Sequence, residues 1–139
     1  MRDLLGPPKA CSYAVQHSGE TVMAIFDYGH FSALYEAVID DVSRFDAGIE
    51  VLTQRQHFRM NYDTPYIRNL PTHLEITTSS DSYTGSEVFG PVYEDPFRIE
   101  LDAFHHSITT GSPNRTTLSD SLEDLLLIKE VARHFVGPH

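Results

Sequence analysis

The passage from Asp95-Pro96 to Phe135 constrains this chain most, because it marks the ends of two successive helices while everything upstream keeps a different rhythm. Asp95 suits a helix cap, since its carboxylate accepts an orphan backbone N–H, and Pro96 suits the first helical position, having no N–H to leave unpaired. Phe97, Leu101, Phe104 and Ile108 then recur at helical spacing. Gly111 can take the left-handed conformation that ends such a helix ahead of Pro113. Ser119 is read as opening the next helix. Asp120, Glu123 and Asp124 stand in its first turns and Lys129, Arg133 and His134 near its end, in keeping with the dipole at each pole. Its predicted core face is Leu122, Leu125, Ile128, Ala132 and Phe135.

Upstream, apolar residues alternate instead of recurring every third or fourth position, and turn residues separate six or seven short strand-like segments. These are residues 10–17, 21–28, 31–39, 45–52, 56–62, 73–78 and 86–92. Ser18-Gly19-Glu20 is a hairpin signal, and the short loops make most neighbours antiparallel. A longer connection, 63–71, contains Pro65 and Pro71, which disfavour helix just before them. Strands followed by helices give an α+β fold: an open, predominantly antiparallel sheet with helices on one face. With 139 residues and no internal repeat, the chain is read as a single domain, 1–139.

One strand bears on assembly. In 21–28, Val22, Ala24, Phe26 and Tyr28 share one face, while Met23 and Ile25 lie on the other. Both faces therefore need cover, and two helices can blanket only one side of such a sheet. Phe31, Ala33, Tyr35 and Ile39 are expected to contribute to the uncovered side, which is read as the contact of a homodimer or higher oligomer.

Composition excludes several classes. Asp and Glu number 20 against 10 Lys and Arg, a net charge of −10, which argues against nucleic acid and anionic membrane surfaces as partners. Cys11 is the one cysteine, so no internal disulfide is expected and a cytoplasmic location is the default. The eight histidines have no metal-ligand spacing, and adjacent His105 and His106 would point apart on a helix. No metal site is expected. Asp40-Asp41 and Glu94-Asp95 read as turn and cap residues, and Ser79-Ser80-Asp81-Ser82 as a turn without a nucleophile elbow. Tyr66 and Arg68, on the long connection, are candidates to reach a small ligand, because loops held by a rigid sheet often carry binding groups.

Tyr93, Phe97, Glu100-Leu101, Phe104, Gly111, Pro113 and Asp120, together with the opening Leu4-Leu5-Gly6-Pro7-Pro8, occur in an order that resembles the C-terminal domain of the Gfo/Idh/MocA dehydrogenases (glucose-fructose oxidoreductase, inositol dehydrogenase). The resemblance covers nearly the whole chain. It implies a substrate-side and oligomerisation domain of an enzyme that transfers hydride between a sugar, polyol or related hydroxylated compound and NAD or NADP. It also implies that Tyr93 faces the substrate cleft, where its hydroxyl could both donate to and accept from a sugar oxygen. The Gly-rich phosphate turn of a Rossmann domain is missing, as are the family's Glu-Lys-Pro and Asp-x-x-x-His motifs. The chain is accordingly expected to be a truncated or split piece, with Met1–Leu5 the stump of a helix, no catalytic or cofactor-binding residue, and a Rossmann domain supplied elsewhere. A stand-alone binding module and a structural or interaction protein are the other readings.

Overall fold

The computed structural model describes residues 2–17, 19–114 and 116–135. In chain order the elements are α1 (Arg2–Leu5), β1 (Ala10–His17), β2 (Thr21–Asp27), β3 (Ser32–Val38), β4 (Ala47–Leu52), β5 (Gln56–Tyr62), β6 (Thr72–Ser79), β7 (Thr84–Val92), α2 (Pro96–Thr110) and α3 (Leu118–Phe135). The class is α+β and every strand pairing is antiparallel. Where the sequence suggests one sheet there are two, ordered β1-β2-β3 and β4-β5-β6-β7. The break falls where acidic turn residues follow β3: the Val42 N–H donates to Asp40 Oδ1 at 3.0 Å, a local bond that draws the backbone out of the ladder. The chain forms two compact units, Met1–Val42 with Arg115–His139, and Ser43–Asn114. Met1 and Ser18, on which the helix stump and the first hairpin signal partly rest, lie outside the described residues.

In the first unit, Cys11 pairs with Phe26 and Ala14 with Ala24, stacking small and large side chains on one face of the sheet. Cys11, Ala14, Ala24, Phe26 and Tyr28 form its buried core, against which Leu5, Ala33, Leu127, Val131 and Phe135 pack. Burial pushes the Cys11 thiol and the Tyr28 hydroxyl above their ordinary pKa values.

The helix covering this core is rotated relative to expectation. Leu127, Val131 and Phe135 face the sheet, whereas Leu122, Leu125 and Ile128 are exposed. Periodicity cannot choose a face when Leu125-Leu126-Leu127-Ile128 is apolar all the way round a turn. Polar contacts choose it: Arg2 Nε lies 2.7 Å from Asp124 Oδ1, Arg2 Nη1 lies 3.6 Å from Asp120, and His134 Nε2 lies 3.0 Å from the Cys11 carbonyl oxygen. Asp120, Asp124, Leu127, Val131 and His134 share one side of the helix. The cap is Thr117, not Ser119. The Asp120 N–H donates to Thr117 Oγ1 at 3.2 Å and the Thr117 N–H donates to Asp120 Oδ2 at 3.0 Å, a reciprocal capping box.

These bonds set a pH response. Hydrogen bonds from Thr117 hold the Asp120 carboxyl below its usual value, and the Arg2 hydrogen bond does the same for Asp124. Folded values below unfolded ones mean that the contribution is complete above about pH 4 and fades as pH falls through the depressed folded values. A one-turn helix such as α1 has little stability of its own. Acidification should therefore release Arg2 from α3, seen as loss of amide protection at Gly6, whose N–H donates to the Arg2 carbonyl at 2.8 Å, and Arg2→Gln should show that loss already at pH 7. Equal protection in the variant at neutral pH would refute the clamp.

The uncovered face of the first sheet is also corrected. Ala33 pairs with Phe26 and Tyr35 with Ala24, so both sit on the face that carries the core. Tyr13, Val15, Met23, Ile25, Leu34 and Val38 lie on the opposite face together with His17, Thr21 and Glu36, and Leu34 is 69 % exposed. Both parities of β3 are apolar, so alternation leaves the choice open and the hairpin decides it, through the Tyr28 N–H donated to the Phe31 carbonyl and the Tyr28–Phe31 stack at 4.4 Å.

The second unit is more openly built, and none of its described residues is fully buried. Ile49, Met60, Leu74 and Phe89 run across the four strands on one face, with Val51, Phe58 and Ile76 beside them. Glu50, Arg59 and Glu75 cross the other face, where Arg59 Nε lies 2.7 Å from Glu50 Oε1. Helix α2 begins and ends as read. The Asp95 carboxylate accepts the Phe97 and Arg98 N–H groups at 2.9 and 3.4 Å, and Gly111 closes the helix at φ 71°, its N–H donated to the Ser107 carbonyl. Asp95→Ala should cost the second unit about 1 kcal/mol in urea unfolding, the usual worth of a lost cap; no change would show the cap to be idle.

Candidate functional site

The candidate site lies in the second unit, where the connection from β5 to β6 meets the start of α2. A cavity of about 300 Å³ opens there, its wall carrying Asp63, Thr64, Arg68, Asn69, Glu94 and Asp95 among other residues. The loop is shaped by its own side chains. The Thr64 N–H donates to Asp63 Oδ1 at 2.7 Å, and Asn69 takes a positive φ of 62°, which asparagine tolerates better than most residues. Pro65 and Pro71 keep the segment from continuing either strand.

Two contacts hold the loop to α2. Arg68 Nε lies 3.7 Å from Asp95 Oδ2, and the Tyr66 ring lies 5.9 Å from the Phe97 ring, tilted by 42°. One carboxylate thus performs two tasks: Oδ1 caps the helix and Oδ2 faces the guanidinium. Arg68 remains mostly open to solvent, its side chain 84 % exposed. It is therefore within reach of a ligand while only loosely held, since exposed pairs contribute little.

The three residues singled out from the sequence have different positions. Arg68 is part of the cavity wall. Tyr66 is exposed and turned to Phe97 beside the cavity. Tyr93 is exposed and precedes the lining residue Glu94, but is not itself in the wall. Asp63 and Glu94 are lining residues that the sequence reading took for turn and cap chemistry or passed over. The available signal was position: an acid at each end of the two segments that the topology brings together, one after β5 and one before α2.

What this wall can do is bind. It offers carboxylates, a guanidinium, hydroxyls and an amide carbonyl, with no nucleophile held by a base. Among the described residues no group of three or more His, Cys, Asp or Glu is placed to hold a metal ion. A nicotinamide dinucleotide is held by a β–α–β unit whose Gly-rich turn meets the pyrophosphate at a helix start. Strand pairing here is antiparallel in both sheets, and the loop before α2 is Tyr93-Glu94-Asp95-Pro96, so the described residues do not fit that group. No helix among them is long and apolar enough to cross a membrane.

No protein-family model matches the sequence. No curated protein matches it either. Solved structures do. Chain yvaA of Bacillus subtilis, described provisionally as an oxidoreductase, superimposes with a TM-score of 0.73 at 14 % identity over 96 % of this chain and 44 % of its own. A second structure, yhhX, also described provisionally as an oxidoreductase, gives a TM-score of 0.70 at 16 % identity over 99 % of this chain and 45 % of its own. The chain thus spans under half the length of either relative. At this identity the likeness is one of fold: nearly the whole chain shares the fold of a part, under half, of these two oxidoreductase-like structures, in keeping with the resemblance read from Tyr93 to Asp120.

Proposed function

We propose that this chain is the substrate-side and oligomerisation part of an NAD- or NADP-dependent oxidoreductase acting on a sugar, polyol or related hydroxylated compound in the cytoplasm. The observation that carries the reading is the match of 96 % of this chain to 44 % of an oxidoreductase-like chain, which leaves room for a nucleotide-binding half. In this reading the two units work together as one domain. A Rossmann domain binds the cofactor and supplies the proton-handling residues, while this chain lends the cavity wall and the self-association surface. Arg68, Tyr66 and Tyr93 are its substrate-side residues, with Tyr93 completing the cleft when the Rossmann domain is in place. Homodimerisation through an uncovered sheet face belongs to the same proposal.

Mapping the transcript upstream of the Met1 codon tests it. An in-frame extension encoding a strand, a Gly-rich turn and a helix is expected, and a stop codon in frame would favour the stand-alone binding module instead. Isothermal titration supplies a second check. Residues 1–139 alone should give no saturable heat with NADH or NADPH, and micromolar binding would overturn the division of labour.

A further inference from the structure

We infer that the cavity between the 63–71 connection and α2 selects against anionic ligands and takes uncharged or cationic hydroxylated ones, with Asp63 and Glu94 setting the preference. This rests on the reading of the cavity as substrate-side and specifies which substrates can enter. The charged lining groups are Asp63, Glu94 and Asp95 against Arg68. Carboxylates therefore outnumber the one cation, on a chain whose net charge is −10. A wall of one sign raises the local concentration of opposite charge and depletes like charge.

The features that ordinarily capture a phosphate or carboxylate are countered here by the protein's own carboxylates. Arg68 faces Asp95 Oδ2 at 3.7 Å. The N-terminus of α2 would attract an anion through its free N–H groups and its dipole. Here the Phe97 and Arg98 N–H groups both donate to Asp95 Oδ1, so the protein's own carboxylate sits where such an anion would. Arg98 is divided as well, with Nη2 3.7 Å from Glu94 and Nη1 3.5 Å from Asp102. An incoming anion at Arg68 would sit beside Asp95, with Asp63 and Glu94 in the same wall, so the attraction of the guanidinium is offset there.

A hydroxylated neutral molecule meets the opposite situation. Ionised carboxylates only accept hydrogen bonds and hydroxyls readily donate them, so Asp63 and Glu94 suit a ligand rich in O–H groups. An ammonium adds a favourable charge. Pro65, Ile67 and Leu70 supply apolar wall for the carbon skeleton. The volume, about 300 Å³, lies at the small end of ligand cavities and accommodates one monosaccharide-sized molecule.

Three probes with one ring and different charge separate the outcomes: glucose, glucosamine and glucose 6-phosphate. Each is titrated into the isotope-labelled chain of 139 residues while the backbone amides of Asn69, Leu70 and Phe97 are followed by NMR. Glucose and glucosamine should shift these amides saturably, glucosamine at least as tightly, with glucose 6-phosphate weaker by about tenfold or more at low salt. The double variant Asp63→Asn/Glu94→Gln should bring the phosphate ester within about threefold of glucose. Equal or tighter binding of the phosphate ester by the unmodified chain, or unchanged discrimination in the variant, overturns the charge selectivity and leaves the substrate-side reading standing. No response at these amides to any of the three removes the substrate-side reading, and the selectivity with it.

Discussion

Leu34→Glu should abolish the homodimer proposed above. Leu34 lies opposite Ile25 on the face of the first sheet that α3 does not cover, among Tyr13, Val15, Met23 and Val38. Burying a leucine stabilises by about 1.5–3 kcal/mol, and placing an unpaired carboxylate in the same contact costs at least as much again. About a twofold axis the change occurs twice. The dissociation constant should therefore rise by more than about 100-fold while the fold is kept. Sedimentation equilibrium of the unmodified and substituted chains, with circular dichroism as the folding control, is the measurement. An unmodified chain that is monomeric throughout the micromolar range would refute association itself, and a Leu34→Glu dimer as tight as the original would move it to another surface. Tyr35→Glu, on the core-bearing face, should leave the association constant unchanged.

Phe26→Ala should unfold the first unit. Phe26 is 4 % exposed and is one of only two aromatic side chains in a core of five buried residues, whose other members are too small to fill the space it leaves. Truncating a buried phenylalanine costs about 3–5 kcal/mol, most of the stability available to a small domain. Hydrogen exchange should show protection lost through β1, β2, β3 and α3. Urea unfolding followed by tyrosine fluorescence, in a chain without tryptophan, gives the magnitude. A loss below about 1 kcal/mol would mean that this cluster is not what holds the unit together.

Much of this architecture could be read from the residues because local physics and global fold agree there. β1 and β5 have the bounds read from alternation alone, and Asp95-Pro96 marks the start of α2 since no other position accepts both residues so easily. The reading failed where two faces are equally apolar. Alternation could not orient β3, with Ala33 and Tyr35 on one side and Leu34 and Val38 on the other, and helical periodicity could not orient α3 across its four consecutive aliphatic residues. Contacts outside the apolar pattern decide: the Tyr28–Phe31 hairpin for β3, and for α3 the pairing of Arg2 with Asp120 and Asp124 and of His134 with the Cys11 carbonyl. The division into two sheets leaves no mark in the alternation for a related reason, since strand residues look alike whether or not their ladder continues. At the candidate site, the prolines and polar residues of 63–71 announced a loop, and Arg68 was legible as a reaching cation. The opposed carboxylates Asp63 and Glu94 were not, because their meeting depends on β6 and β7 folding back to return the chain to that loop.

The first unit is assembled from both ends of the chain, the second from the uninterrupted segment Ser43–Asn114. A ribosome therefore releases β1, β2 and β3 well before the helix that shields them, since Cys11 and its partner His134 are separated by 123 positions. Domains otherwise form as they emerge, amino-terminal part first. Here the order is inverted. The contiguous middle segment can acquire its structure during synthesis, while the earlier sheet waits with Phe26 and Ala24 open to water until α3 arrives. Its nascent hairpins are the stretch most in need of chaperone protection, and a ribosome stalled before Leu118 would leave an aggregation-prone intermediate rather than a shortened but serviceable protein.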